Sequence, residues 1–310
     1  MADLTEQVFI NVSKRSQIIR LSSLLRKWAE RSLKLEGATD KITRKNINNW
    51  LNDFEVIYKS EMLKIKEGAG VIGYAVANKE AVNVGAVDVG TISIDNFLIK
   101  YGLALDATNS VDSVNIRNFR NSLGTRWKGS YKSFYDEWNT VINQPAIKGL
   151  SFSALVKKVR DKPWYRDLVS IVDSSGRKWD PDTYSAMYSV TQASTFQDDV
   201  HVDELKDLGI EFVQISSHGT DTPICMQYEG KIFALSANTI GVPVLEVRPP
   251  FHPNCRHISI SARPELAEDY RVINRRVDNT FQSKKSDFPK NWQRTVLKQE
   301  TYNKKNRKPV

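Results

Sequence analysis

Residues 216–260 read SSHGTDTPICMQYEGKIFALSANTIGVPVLEVRPPFHPNCRHISI, and five of the chain's six histidines and cysteines (His218, Cys225, His252, Cys255 and His257) fall inside this stretch. Only His201 lies outside it. Nitrogen and sulfur ligands this concentrated point either to a metal site or to a tightly specified local structure. Pro249, Pro250 and Pro253 fix backbone φ at three positions, while Gly230 and Gly241 permit turns, so the loop is rigid by composition. Lys231 to Leu235 and His257 to Ile260 read as two short strands. Just upstream, Ile210, Phe212, Val213 and Ile215 alternate with polar residues as a third.

Working back towards the start, 167–181 (DLVSIVDSSGRKWDP) reads as a hairpin turning at Ser174-Ser175-Gly176. Asp182 or Thr183 is then placed to cap a helix running to about 205. The first half is helical throughout. A helix over 4–35 carries Ile18, Leu21, Leu25 and Trp28 on one face; a second over 43–67 carries Ile47, Trp50, Leu51, Phe54, Ile57 and Tyr58, with Gly68 and Gly70 as its stop. The short joint between them predicts an antiparallel pair with Trp28 and Trp50 filling the seam. Residues 71–82 lean helical despite their valines and isoleucines, and helices recur over 95–107, 113–144 and 151–161. Trp127, Tyr131, Phe134, Tyr135 and Trp138 share one side of the 113–144 helix, where core packing is favoured over base stacking because acidic residues stand beside them. The fold class expected is α+β, mainly α: a helical domain at 1–161, a small α+β module at 162–264, and a basic tail at 265–310.

The net charge of +9 belongs to the end of the chain. From residue 271 onward there are twelve bases (Arg271, Arg275, Arg276, Lys284, Lys285, Lys290, Arg294, Lys298, Lys304, Lys305, Arg307 and Lys308) against three acids, so this segment holds the entire surplus. Bases interleaved with Phe281, Phe288, Trp292 and Tyr302 suit contact with the phosphates of DNA or with an acidic protein face; the alternative is a solvated terminus. At 310 residues there is chain enough for two domains with a real core. The opening MADLTEQVFINVSKR lacks the apolar block of a signal peptide, and no run of 18 apolar residues occurs, so neither export nor a membrane anchor is expected. Two cysteines without an export signal argue for reduced thiols in a cytoplasmic setting.

For chemistry, His218, Cys225, His252 and Cys255 form a two-plus-two set for structural zinc, with His257 as a substitute fourth ligand; metal-free packing is the competing reading. Catalysis is poorly supported. The His-x-Glu with Pro-Cys-x-x-Cys of a zinc deaminase is absent, as is any phosphate-binding glycine motif. An HNH-like nuclease site from His252 and Asn254 with Asp221 or Glu229 lacks a second paired histidine. A Cys-His hydrolase built on Cys225 or Cys255 with His218 lacks a legible oxyanion site. No catalytic residue is assigned.

The run SSHG, PIC, YEGKIF-LS and PPFHPNCRH, in that order, resembles the C-terminal signature of the phage head morphogenesis family, the Mu F-like minor capsid proteins. Lys178 to Met187 resembles the helix start that precedes it. The likeness covers about 176–262. Thr222 stands where that family often has the first cysteine of Cys-Pro-x-Cys, which weakens zinc, and Val190 stands where an arginine is common. The resemblance implies a minor head protein of a tailed phage or prophage, inside the virion after assembly and in the host cytoplasm before it. It implies contact with the portal protein, DNA and the scaffold or major capsid protein, and a part in head morphogenesis and in genome packaging or ejection. A metal-dependent nuclease or toxin-like effector on the same module is the competing class.

Overall fold

The structure, a computed structural model, describes residues 40–85, 92–108, 170–172, 176–237, 241–263 and 269–284, with a few isolated positions between 140 and 163. The expected helices over 4–35 and 113–144, most of 151–161, and the tail beyond 284 lie outside the described residues. Those described are mainly helical around a small antiparallel sheet, the class expected. The chain divides into two compact units. One holds the described residues of Asn11–Lys64 and Asp106–Ser189, the other those of Ile65–Leu105 and Val190–Val310.

Helix α1 spans Asp40–Asn83, α2 spans 94–108 and α3 spans Pro181–Asp207. In the first unit α1 buries Leu51, Tyr58 and Met62, and the Tyr58 ring lies 6.5 Å from that of Tyr188. The expected hairpin forms there as β1 (Ile171–Val172) against β2 (Lys178–Trp179), with Gly176 at φ +79° in its turn. The cap of α3 is neither Asp182 nor Thr183 but Asp180, whose Oδ1 accepts from the Thr183 N–H at 3.2 Å. Pro181, which lacks an N–H and has φ preset, takes the first helical position and so moves the helix start upstream.

In the second unit α1 runs straight through the glycines expected to stop it, and ends instead at Gly85 (φ +87°). Glycine terminates a helix only where the chain needs a left-handed residue; elsewhere it permits close approach. A Cβ on Gly73 would sit 2.3 Å from the Gln197 carbonyl oxygen on α3, and one on Gly70 would sit 2.6 Å from the Phe97 ring. These two glycines let α1 lie directly against α3 and α2.

The sheet has strand order β4-β3-β5, all antiparallel, from β3 (Phe212–Ile215), β4 (Ile232–Ala234) and β5 (Ser259–Ser261). Val213, Ile215, Phe233, Leu235, Leu245, Val247 and Phe251 form its core with Val202 and Leu205 of α3 and Ala77 of α1. Three strands leave two open edges, whose backbone groups need partners when buried. At Ala234 of β4 the backbone of 243–245 supplies them, the Pro243 carbonyl accepting from the Ala234 N–H at 2.8 Å and the Leu245 N–H donating to the Ala234 carbonyl at 2.9 Å; elsewhere side chains do. Beyond β5, Asp198 Oδ1 accepts from the Ser259 N–H at 3.0 Å and Glu80 Oε2 accepts from the Ser261 N–H at 2.8 Å. Beyond β4, Asn274 of α5 (Tyr270–Lys284) accepts from the Ile232 N–H at 2.8 Å and donates to the Ile232 carbonyl at 2.9 Å, so its amide stands where a neighbouring strand would.

Candidate metal centre and cationic helix

Two local structures bring the cysteines together. Thr222-Pro-Ile-Cys-Met begins a single helical turn, α4 (Pro223–Met226), with Pro223 at its start, and it buries Cys225 to 1% exposure. The second structure is His252-Pro-Asn-Cys255. Here the Cys255 N–H donates to the His252 carbonyl at 3.0 Å, and Asn254 has φ 62°. Proline followed by a left-handed asparagine is the residue pattern of a type II turn. The chain then runs on towards β5 and delivers His257 just before it.

The sulfurs of Cys225 and Cys255 are 3.7 Å apart, both unbridged, and Cys255 Sγ lies 3.4 Å from His257 Nδ1. All three donor atoms fall within 4.8 Å of one another. On the far side of the ring, the buried His257 Nε2 faces Glu229 Oε1 at 3.4 Å in an ion-pair contact, without the alignment of a formed hydrogen bond. Glu229 is itself fixed: it accepts from the His218 N–H and, at 3.1 Å, from the Thr220 N–H. Phe251, fully buried and stacked on Tyr228 at 4.5 Å, closes the apolar side of the site.

The electrostatics follow from these contacts. The Cys225 thiol beside it, and then His257, hold the Cys255 thiol far below the usual thiol range, while the Cys255 sulfur and burial push Cys225 up. Burial alone would depress His257, but the Cys255 sulfur and the Glu229 carboxylate outweigh it and raise the imidazole. For Glu229 burial likewise acts upward, yet the two backbone N–H groups and His257 hold the carboxyl below its ordinary value.

Of the four ligands expected from the sequence, the structure gathers Cys225 and Cys255 and pairs them with His257. The His218 ring packs edge-on against His257 at 5.0 Å, but its Nε2 lies 2.9 Å from Ser216 Oγ. His252 Nδ1 lies 2.7 Å from the Pro253 carbonyl oxygen. Glu229, the carboxylate behind the imidazole, was not among the expected ligands. The signals for the revised set were present in the sequence: Pro-Asn before Cys255 marks the turn, and positions 255 and 257 share a face in an extended chain.

Of the twelve expected phosphate contacts, Arg271, Arg275, Arg276 and Lys284 lie on α5 and are exposed. Lys285, Lys290, Arg294, Lys298, Lys304, Lys305, Arg307 and Lys308 lie outside the described residues. The helix is anchored by Asn274, by the Lys231–Asp278 ion pair and by Lys284 to Asp221 at 3.2 Å.

Residues 150–296 match the family described as phage minor capsid protein 2. That span takes in the hairpin, α3, the whole sheet, the cysteine-histidine cluster and α5. Over that span, a little under half of the chain, the sequence is similar to a phage minor capsid protein family. This agrees with the likeness read from PPFHPNCRH at the level of the phage minor capsid. No curated protein and no solved structure matches the chain. A phage minor capsid family is a structural one, which fits a capsid role, a virion-associated location and interaction with other head components. No helix among the described residues is long and apolar enough to cross a membrane.

Proposed function

We propose that this capsid protein works by binding rather than by catalysis, with the sheet module as a rigid mount and the cationic C-terminal segment as the part that holds DNA, next to the portal. One observation carries the reading: the whole positive surplus of the chain begins on α5, which is pinned to the edge of β4 through Asn274. Bases on a mounted helix meet phosphates in a fixed register, and each phosphate neutralised releases counterions.

The test uses the full chain. In gel retardation with duplex DNA, Arg271→Glu with Arg275→Glu and Arg276→Glu, and separately truncation after Lys284, should each weaken binding. The triple change should flatten the slope of log K against log salt by about 2.7, at about 0.9 for each phosphate no longer neutralised. Both variants leave Asn274 in place. Unaltered retardation by both would overturn the DNA assignment. For the portal, co-purification of co-expressed portal protein with this chain is the expected outcome, and separate elution would remove that partner.

A further inference from the structure

We propose that Cys225, Cys255 and His257 bind one zinc ion, through the two sulfurs and His257 Nδ1, with Glu229 holding the imidazole from behind and solvent completing the tetrahedron. Two thiolates on a tetrahedral zinc at the usual bond length of about 2.3 Å stand about 3.8 Å apart, and a thiolate and an imidazole nitrogen about 3.6 Å. The corresponding separations here are 3.7 Å and 3.4 Å. A disulfide would need the sulfurs at about 2.0 Å and would give the imidazole no part.

The surroundings of the imidazole argue the same way. Histidine ligands usually offer their other ring N–H to a carboxylate, which fixes the tautomer. His257 Nε2 is buried, lacks a formed hydrogen bond and faces Glu229 Oε1 at 3.4 Å. With zinc on Nδ1, the imidazole is neutral, its one proton sits on Nε2, and it points at that carboxylate. Each coordinating sulfur enters as thiolate, so any thiol proton still present leaves to solvent when the ion binds. His218, whose Nε2 is engaged with Ser216, stays outside the ligand set, as does His252. The ion would tie α4 to the turn before β5 through two cysteines 30 positions apart.

The full chain, produced in zinc-supplemented medium, should carry about one zinc per molecule by elemental analysis. After exchange, cobalt should give thiolate charge-transfer absorption together with tetrahedral visible bands. Cys225→Ser, Cys255→Ser and His257→Ala should each lose the metal, whereas His218→Ala and His252→Ala should keep it. In case a ligand variant fails to fold, Glu229→Gln provides a second readout: metal retained but held about 10- to 100-fold more weakly in a chelator competition. A metal-free chain with no cobalt spectrum overturns the proposal, as does an intact-mass value showing the two cysteines oxidised to a disulfide. Loss of zinc in His218→Ala would overturn the three-ligand set. None of these outcomes bears on DNA retardation, so this proposal and the binding function stand or fall separately.

Discussion

Replacing Asn274 by alanine removes both partners that the outer edge of β4 has at Ile232, because the asparagine amide satisfies the N–H at 2.8 Å and the carbonyl at 2.9 Å in a buried setting. Each buried backbone group left unpaired costs about 1 to 3 kcal/mol. Against that, alanine is the better helix former by up to about 0.7 kcal/mol, and water admitted to the gap recovers part of the loss. The net destabilisation should be about 3 kcal/mol, read as a lower denaturant midpoint at unchanged slope. Asn279→Ala is the control, since Asn279 is exposed on the same helix; it should change stability by no more than about 0.5 kcal/mol. Hydrogen exchange gives the site-specific readout: the Ile232 amide should lose protection before its neighbours on β3. If Asn274→Ala matched Asn279→Ala, the edge-capping account would be refuted, and with it the reason α5 presents its arginines from a fixed position.

Other outcomes follow from the same packing. Gly68 has nothing within 4 Å of a built Cβ, so Gly68→Ala should stabilise by about 0.8 to 1 kcal/mol; Gly73→Ala, facing the Gln197 carbonyl, should destabilise by about 1 to 3 kcal/mol. Opposite signs in urea melts would confirm that α1 and α3 touch through Gly73. Phe251→Ala should cost about 3 to 5 kcal/mol, because the ring is fully buried against Tyr228. Burial acts upward on Glu80, but the His201 and Ser261 contacts hold its carboxyl below the ordinary value. A depressed carboxylate stabilises the fold above its unfolded value, near pH 4.3, and that contribution disappears as pH falls through the folded value. Glu80→Gln should therefore be less stable at pH 7, and the gap to wild type should narrow on acidification; a constant gap down to pH 3 would contradict this.

The three strands are legible in the sequence to within a few residues because their apolar alternation is local, as are the hairpin's glycine and the helices over 71–82 and 95–107. Gly68 and Gly70 do not stop the helix: Gly68 faces open space and needs no left-handed residue, and Gly70 admits the rings of Phe97 and Phe196, which are remote in sequence. The closure of the sheet edges by Glu80, Asp198 and Asn274 was illegible for the same reason: no spacing rule links Glu80 to Ser261, 181 positions on. At the cysteine-histidine cluster the residue types were legible and the grouping only in part. Cys225 and Cys255 meet, and the partner imidazole comes from the extended segment just before β5, which the strand period favours over the His218 and His252 spacings. The basic tail was legible as charge alone; the mount beneath it, Asn274 on Ile232, came only from the structure.

The most direct check on the central claim, that this chain is a structural component of a phage head, is quantitative mass spectrometry of virions purified from an induced or infected host. Its peptides should co-purify with the particles through a density gradient, in far fewer copies than the major capsid protein. Their absence from particles that are otherwise complete and infectious would contradict the account.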